Sequence, residues 1–236
     1  MKSILYLVAT LLITSAGFSQ TAEEYFNKGD AKLKHQDYRG AIADYSKAIE
    51  INSRLVAAYS NRGTVKSILQ DDLGAIVDFT KAIELDPENA RLYYNRGLSK
   101  YSNVDYRGAI IDYNKAIEIN PEYAKALYNR GIAKHKLKDY VGAIVDYTKS
   151  VEKNPNYAEA YYNRGISKVN LQDSRGAISD YTKAIEINHD FAEAYYLRGL
   201  TRINYLGQKD TGCLDLSKAG ELGFSKAYEA IQKYCQ

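Results

Sequence analysis

Glycine recurs at positions 29, 63, 97, 131, 165 and 199, always 34 residues apart, and a second set falls at 40, 74, 108, 142 and 176 with the same spacing. Whole octets return with the first set: YYNRGLSK at Tyr93–Lys100, LYNRGIAK at Leu127–Lys134 and YYNRGISK at Tyr161–Lys168. No reaction needs one octet copied at a fixed interval, whereas a stack of like units does. A period of this size marks a solenoid of repeated supersecondary units.

Within a unit the apolar residues follow helical spacing, as in Ile76, Phe79, Ala82 and Ile83. Two amphipathic segments, such as Val56–Leu69 and Leu73–Leu85, flank the polar turn Gln70-Asp71-Asp72. The chain has only 3 prolines, and Pro87, Pro121 and Pro155 sit where one unit hands over to the next. There a proline stops one helix and precedes the start of another. The expected fold is all-α, with no strand.

These residues resemble the tetratricopeptide repeat (TPR) family. In its pattern a large aromatic, Leu-Gly and a second aromatic mark the first helix, and Ala, an aromatic and a late Pro mark the second. The second repeat places Tyr59, Arg62-Gly63, Lys66, Ala75, Phe79 and Pro87 at those positions. Arg or Lys thus replaces the Leu before glycine, and Lys or Arg replaces the later aromatic. The last repeat carries one extra residue near Gly207–Gly212. The resemblance implies a right-handed superhelix of six helix-turn-helix units, 22–55, 56–89, 90–123, 124–157, 158–191 and 192–225, closed by a capping helix over 226–236.

Glycine inside a helix costs about 1 kcal/mol relative to alanine, so its recurrence calls for close helix–helix approach in return. Ala75, Ala109, Ala143 and Ala177 are expected to serve the same contact from the second helix. Arg62, Arg96, Arg130, Arg164 and Arg198, with Lys28, form a basic column. Asp44, Asp78, Asp112, Asp146, Asp180 and Asp215 form an acidic column on the second helices. Lys32, Lys66, Lys100, Lys134, Lys168 and Arg202 repeat the positive charge one turn further along. Like charges four residues apart repel, so an acidic partner across the helix interface is expected. A planar guanidinium suits a bidentate pair there.

Asn27, Asn61, Asn95, Asn129 and Asn163 precede the basic column, and Leu197 breaks the series. Asparagine is a mediocre helix former and is too deep in the helix to act as a cap. In TPR superhelices the first helices line the concave surface. In the O-linked N-acetylglucosamine transferase branch, an asparagine ladder at the matching place bonds the backbone of an extended peptide. Beside the ladder run Tyr94, Tyr128, Tyr162 and Tyr196, of a type enriched at recognition surfaces. Two roles fit these residues: a peptide-binding groove, or bonding and packing between adjacent repeats. The chaperone-binding clamp of the family is absent, because Ser60, Thr64 and Asn95 occupy places where its Lys, Asn and Arg would stand.

Nothing in the sequence points to catalysis, a cofactor or a small-molecule substrate. His35, His135 and His189 fall at unrelated places in the repeat, and no Gly-rich phosphate loop or nucleophile motif occurs. A net charge of +3 does not suit nucleic acid. The expected role is a non-catalytic scaffold that binds a protein or peptide partner as a monomer, with self-association as the alternative.

Met1–Gln20 reads as a secretory signal peptide: Lys2, the apolar run Ile4–Ile13, then Thr14, Ser15, Ala16, Gly17 and Ser19. The run is about half of the roughly 20 residues that span a bilayer, so stable membrane insertion after cleavage is not expected. A periplasmic or secreted setting permits disulfides. Cys213 and Cys235, the only cysteines, are therefore a candidate pair at the end of the last repeat, with two free buried thiols as the alternative.

Overall fold

A computed structural model describes residues 20–236. The signal peptide expected over 1–20 lies outside the described residues, apart from Gln20. The described residues form α-helices without a strand: α1 Ala22–Lys34, α2 Tyr38–Ile51, α3 Val56–Ile68, α4 Asp72–Leu85, α5 Ala90–Ser102, α6 Tyr106–Ile119, α7 Ala124–Lys136, α8 Tyr140–Lys153, α9 Ala158–Asn170, α10 Ser174–Ile187, α11 Ala192–Leu206, α12 Lys209–Glu221 and α13 Lys226–Tyr234. Each odd-numbered helix from α1 to α11 packs on the even one that follows, and each pair packs on the next. This is an all-α helical-repeat solenoid.

Its curvature follows from which helices meet. First helices of neighbouring pairs touch, α3 with α5, α5 with α7 and α7 with α9, and no comparable contact joins the second helices. The side carrying the first helices is therefore the inner side of the curve.

Three residues separate the helices of each of the first five pairs, and their chemistry is the same every time. Gln36, Gln70, Val104, Lys138 and Gln172 take left-handed backbone, with φ between 60° and 64°. That conformation costs an L-residue about 1–2 kcal/mol, and the β-branched Val104 suits it least. The next residue but none restores order: Asp37, Asp71, Asp105, Asp139 and Asp173 each accept a hydrogen bond from the backbone N–H of the glycine three residues on, at 2.9–3.0 Å. A Cβ on those glycines would collide with the capping carboxylate, which accounts for the second glycine series.

The first glycine series is a matter of helix contact. A Cβ on Gly29, Gly97, Gly131 or Gly165 would stand 2.6–2.7 Å from the ring of Tyr45, Tyr113, Tyr147 or Tyr181. On Gly63 it would stand 3.1 Å from Phe79. Among the described residues these rings are the largest fully buried side chains, and Ala41, Ala75, Ala109, Ala143 and Ala177 are completely buried beside them. In the last pair Leu216 replaces the ring. Gly199 and Gly212 then face each other, and a Cβ on either would meet the other's carbonyl oxygen at 2.7–2.8 Å. The extra residue lengthens α11 to 15 residues, ended by Gly207 at φ 65°.

Past α12 the chain turns back onto α12 and touches α11. There α13 buries Ala227 and Ala230, and a disulfide joins Cys213 in α12 to Cys235 at the end of α13, with Cα atoms 5.8 Å apart. Closing a loop of this length restrains the unfolded terminus by about 3 kcal/mol in the chain-entropy view.

The buried phenols differ in a way that can be measured. Tyr45 donates a 2.6 Å hydrogen bond to Asp30 Oδ1, whereas the buried hydroxyl of Tyr113 has no partner and Phe79 fills the same place without one. A desolvated hydroxyl without a bond costs about 1–3 kcal/mol. Tyr113→Phe is thus expected to raise the free energy of unfolding by about 1 kcal/mol and Tyr45→Phe to lower it by a similar amount, as read by urea denaturation. A loss of stability in Tyr113→Phe would show that its hydroxyl is bonded.

Candidate functional site

The side chains of the repeated Asn-Arg-Gly triplet separate into two layers, one inside the stack and one on its inner surface.

The arginines belong to the stack. Nε and Nη2 of Arg62, Arg96, Arg130, Arg164 and Arg198 donate to both oxygens of Asp78, Asp112, Asp146, Asp180 and Asp215, at 2.5–3.0 Å. The third nitrogen, Nη1, crosses to the preceding repeat and bonds Ser46, Thr80, Asn114, Thr148 or Thr182. On the same carboxylates, Lys66, Lys100, Lys134 and Lys168 add a second cation at 2.7–2.8 Å, and Arg202 does so at 2.6 Å. Four of the guanidinium groups also lie over a tyrosine ring one turn earlier, for example Arg164 over Tyr161 at 5.2 Å. Each arginine therefore ties its own helix pair together and ties that pair to the one before.

Lys28 departs from the expected column. It lies over the Tyr25 ring, and Lys32 alone pairs with Asp44, at 2.6 Å. Lysine at this place has no planar fork to span an aspartate and a second partner, so the first repeat departs from the bridging pattern of the others. On the exposed side of the second helices, Lys81, Lys115 and Lys183 pair with Glu84, Glu118 and Glu186 three residues on, whereas Lys47 lies over the Tyr25 ring.

The asparagines lie on the inner surface, and most are already engaged. Asn129 Nδ2 donates to Tyr94 Oη of the preceding repeat at 3.0 Å and to the Lys125 carbonyl at 2.9 Å. Asn163 does the same to Tyr128 Oη and the Glu159 carbonyl. Asn61 follows Phe26, which has no hydroxyl, and donates to Asp30 Oδ1 instead, at 2.9 Å. Asn95 follows Ser60; neither its amide nor that of Asn27 makes a hydrogen bond among the described residues. The side-chain oxygens of Asn129 and Asn163 likewise accept none there.

The tyrosines are half-buried between repeats. Tyr94 lies against Tyr113 and Tyr123 with centroids 6.0 and 4.9 Å apart. Tyr128 lies against Tyr147 and Tyr157, Tyr162 against Tyr181 and Phe191, and Tyr196 against Phe224. Burial raises the phenol pKa of Tyr94 and Tyr162, and it pushes Tyr128 up to about 12, helped by the nearby Glu159 carboxylate. His135 stands apart from the other histidines, near Ser167 and Tyr140, with its pKa lowered by burial and then by Lys136. Among the described residues no group of three metal-ligating side chains assembles, and no helix is long and apolar enough to cross a membrane.

Two features lie in the sequence at the same 34-residue spacing but are not apparent without the fold. The hydroxyl or amide column Ser46, Thr80, Asn114, Thr148 and Thr182 completes the arginine network. A second column, Asp30, Thr64, Leu98, Ile132, Ile166 and Leu200, runs along the inner helices and turns from polar to apolar toward the C-terminus.

Family models described as tetratricopeptide repeat or TPR repeat match residues 29–66, 70–104, 105–138, 124–157 and 146–178. The chain belongs to the tetratricopeptide-repeat family. Among solved structures, MamA shares 26% identity over 70% of this chain and 96% of its own, with a TM-score of 0.67. YrrB, described as a TPR protein with an unusual peptide-binding site, shares 26% identity over 80% of this chain and 97% of its own, with a TM-score of 0.66. PilF of Pseudomonas aeruginosa, at 20% identity, covers 90% of this chain and 96% of its own with a TM-score of 0.75, a likeness of fold. No curated protein sequence matches the chain. The TPR fold is that of a protein-interaction scaffold.

The arginine network sets an energy scale. Asp146 is almost fully buried, and Arg130→Ala would leave it only Lys134. Because that ammonium remains, a loss of about 1–3 kcal/mol is expected, rather than the larger cost of an unpaired buried charge. Arg130→Lys should recover little, since one ammonium cannot span both carboxylate oxygens and Asn114. Thermal unfolding followed by circular dichroism reads both variants, and an unchanged Tm in Arg130→Ala would place Arg130 outside the stack.

Proposed function

We propose that this TPR solenoid is a non-catalytic scaffold that holds an extended segment of a partner protein against its inner face. The observation that carries this reading is the orientation of the asparagine amides. Tyr94 and Tyr128 hold Asn129 and Asn163 by their Nδ2 groups, at 3.0 Å, which leaves the oxygens as fixed acceptors on the inner surface. An extended backbone presents N–H donors at regular intervals, and a row of pre-oriented acceptors binds them without a further ordering cost. The tyrosines then act as positioning residues for the ladder. The two roles open at the level of sequence are combined in one arrangement.

The setting belongs to the same proposal. A leader of signal-peptide pattern and a Cys213–Cys235 disulfide both suit an exported protein working in an oxidising compartment such as the periplasm. The capping helix α13 covers the C-terminal end of the stack, which favours a monomer over end-to-end assembly.

The test is direct. A partner is first captured by crosslinking in the envelope fraction, and its affinity is measured for the wild-type chain and for the triple variant Asn95→Ala, Asn129→Ala, Asn163→Ala. Helicity should stay near wild type while Kd rises roughly tenfold or more, the effect of losing two or three hydrogen bonds of about 0.5–1.5 kcal/mol each. Unchanged affinity would reject the ladder, and collapse of the fold would confine these residues to the stack.

A further inference from the structure

The inner face is not uniform, and its C-terminal end holds a feature that the asparagine ladder does not use. Between α9 and α11 lies a cleft of about 210 Å³, walled by Ile166, Val169, Leu197, Leu200 and Tyr205 over the buried ring of Tyr181. Leu197 stands where the earlier repeats carry the ladder asparagine, so the same place in the fold that offers an amide elsewhere offers an apolar wall here. Tyr205 belongs to the stretch added to α11 by the extra residue, and it is 57% exposed although aromatic. The cleft is smaller than the roughly 300–1,000 Å³ of small-molecule sites, and its size suits one bulky side chain. Thr201, Asn170 and Asn204 complete its lining, and the two amides bring donors and acceptors beside an apolar interior.

Charge tells what accompanies that side chain. The second residue of each first helix is Glu23, Ala57, Arg91, Lys125, Glu159 and Glu193 in turn. The carboxylates of Glu159 and Glu193 are exposed, and neither has an ion-pair partner among the described residues. Helix-dipole stabilisation does not set this column, because Arg91 and Lys125 occupy the same first-turn place with the unfavourable sign. Glu159 and Glu193 stand one helical turn before Asn163 and Leu197, on the same side of their helices, and Asn163 Nδ2 donates to the Glu159 carbonyl, so both carboxylates belong to the inner face.

We infer that the C-terminal end of the inner face is a binding site for an extended peptide segment carrying one bulky apolar residue and a cationic residue three or four positions away. The spacing follows from geometry. Seven residues separate Glu193 from Leu200, which is roughly 10 Å along a helix, and an extended chain covers that distance in about three residues. The apolar side chain enters the cleft, the Asn170 and Asn204 amides meet the backbone at its rim, and the cation reaches Glu159 and Glu193. The inference rests on the groove reading above and narrows it to a partner chemistry.

Fluorescence anisotropy on the disulfide-intact chain from Gln20 tests it with synthetic Gly/Ser-based peptides. Each carries one Leu or Phe and one Arg, separated by one to six positions. Binding should be tightest at a spacing of three or four, and at least tenfold weaker when Glu replaces Arg or Ser replaces the apolar residue. Glu159→Gln with Glu193→Gln should abolish the preference for Arg and keep that for Leu or Phe. Leu200→Ser should weaken binding at least tenfold at unchanged helicity. Equal binding of Arg and Glu peptides, indifference to Leu200→Ser, or no binding by any peptide would overturn the inference. Binding that survives Leu200→Ser and is lost on replacing Asn129 and Asn163 would overturn it while leaving the groove reading intact.

Discussion

A guanidinium shared by three helices holds this stack together. Each arginine from Arg62 to Arg198 grips an aspartate of its own repeat with two nitrogens and a side chain of the preceding repeat with the third. Its planar fork makes both contacts at once, which an ammonium cannot do. The aspartates are 1–5% exposed from Asp78 to Asp215, so their charge is tolerable only because the arginine and a second cation meet it. Stability in a solenoid is a sum of repeat and nearest-neighbour terms. Here a single side chain contributes to both, and weakening it loosens a repeat and its junction together.

Much of this was legible in the sequence, because a period exposes roles that one copy would hide. The recurrence of Gly97, Ala109, Arg96 and Asp112 at a common interval identified close helix contact and a charge pair across it. Lys28 escaped that logic, since the period treats it as a member of the arginine column while its single ammonium lies over Tyr25 and leaves Asp44 to Lys32. The tyrosines were only half legible. Their type marks recognition surfaces as well as packing, and only the contacts of Tyr94 with Tyr113, Tyr123 and Asn129 show one ring serving the stack and one hydroxyl orienting an amide. The second glycine series was visible but unexplained, because its partner is the Asp cap three residues earlier and its cause is the left-handed residue before that cap.

The ends of the array obey different physics from its middle. At the N-terminus Lys32 alone meets Asp44, and its side chain is 42% exposed, so this pair is weaker than the buried ones. At the C-terminus the buried ring gives way to Leu216, Arg202 takes the place of the companion lysine on Asp215, and a disulfide fixes α13. A terminal unit that lacks one neighbour loses one junction term, and the covalent link compensates on the side where the stack has been altered most.

The division of labour along each first helix explains how such an array diversifies a surface without losing its fold. Positions that face the second helix, such as Gly131 and Arg130, are bound by the geometry of packing and repeat almost unchanged. Positions such as Lys125, Ile132 and Lys136 are free to vary, and the matching places elsewhere hold acids, bases, hydroxyls and aliphatics. The inner face therefore changes from Asp30 and Thr64 at one end to Ile166 and Leu200 at the other while the arginine network stays constant. Surface chemistry is written in the positions that vary between repeats, and the stack is written in those that do not.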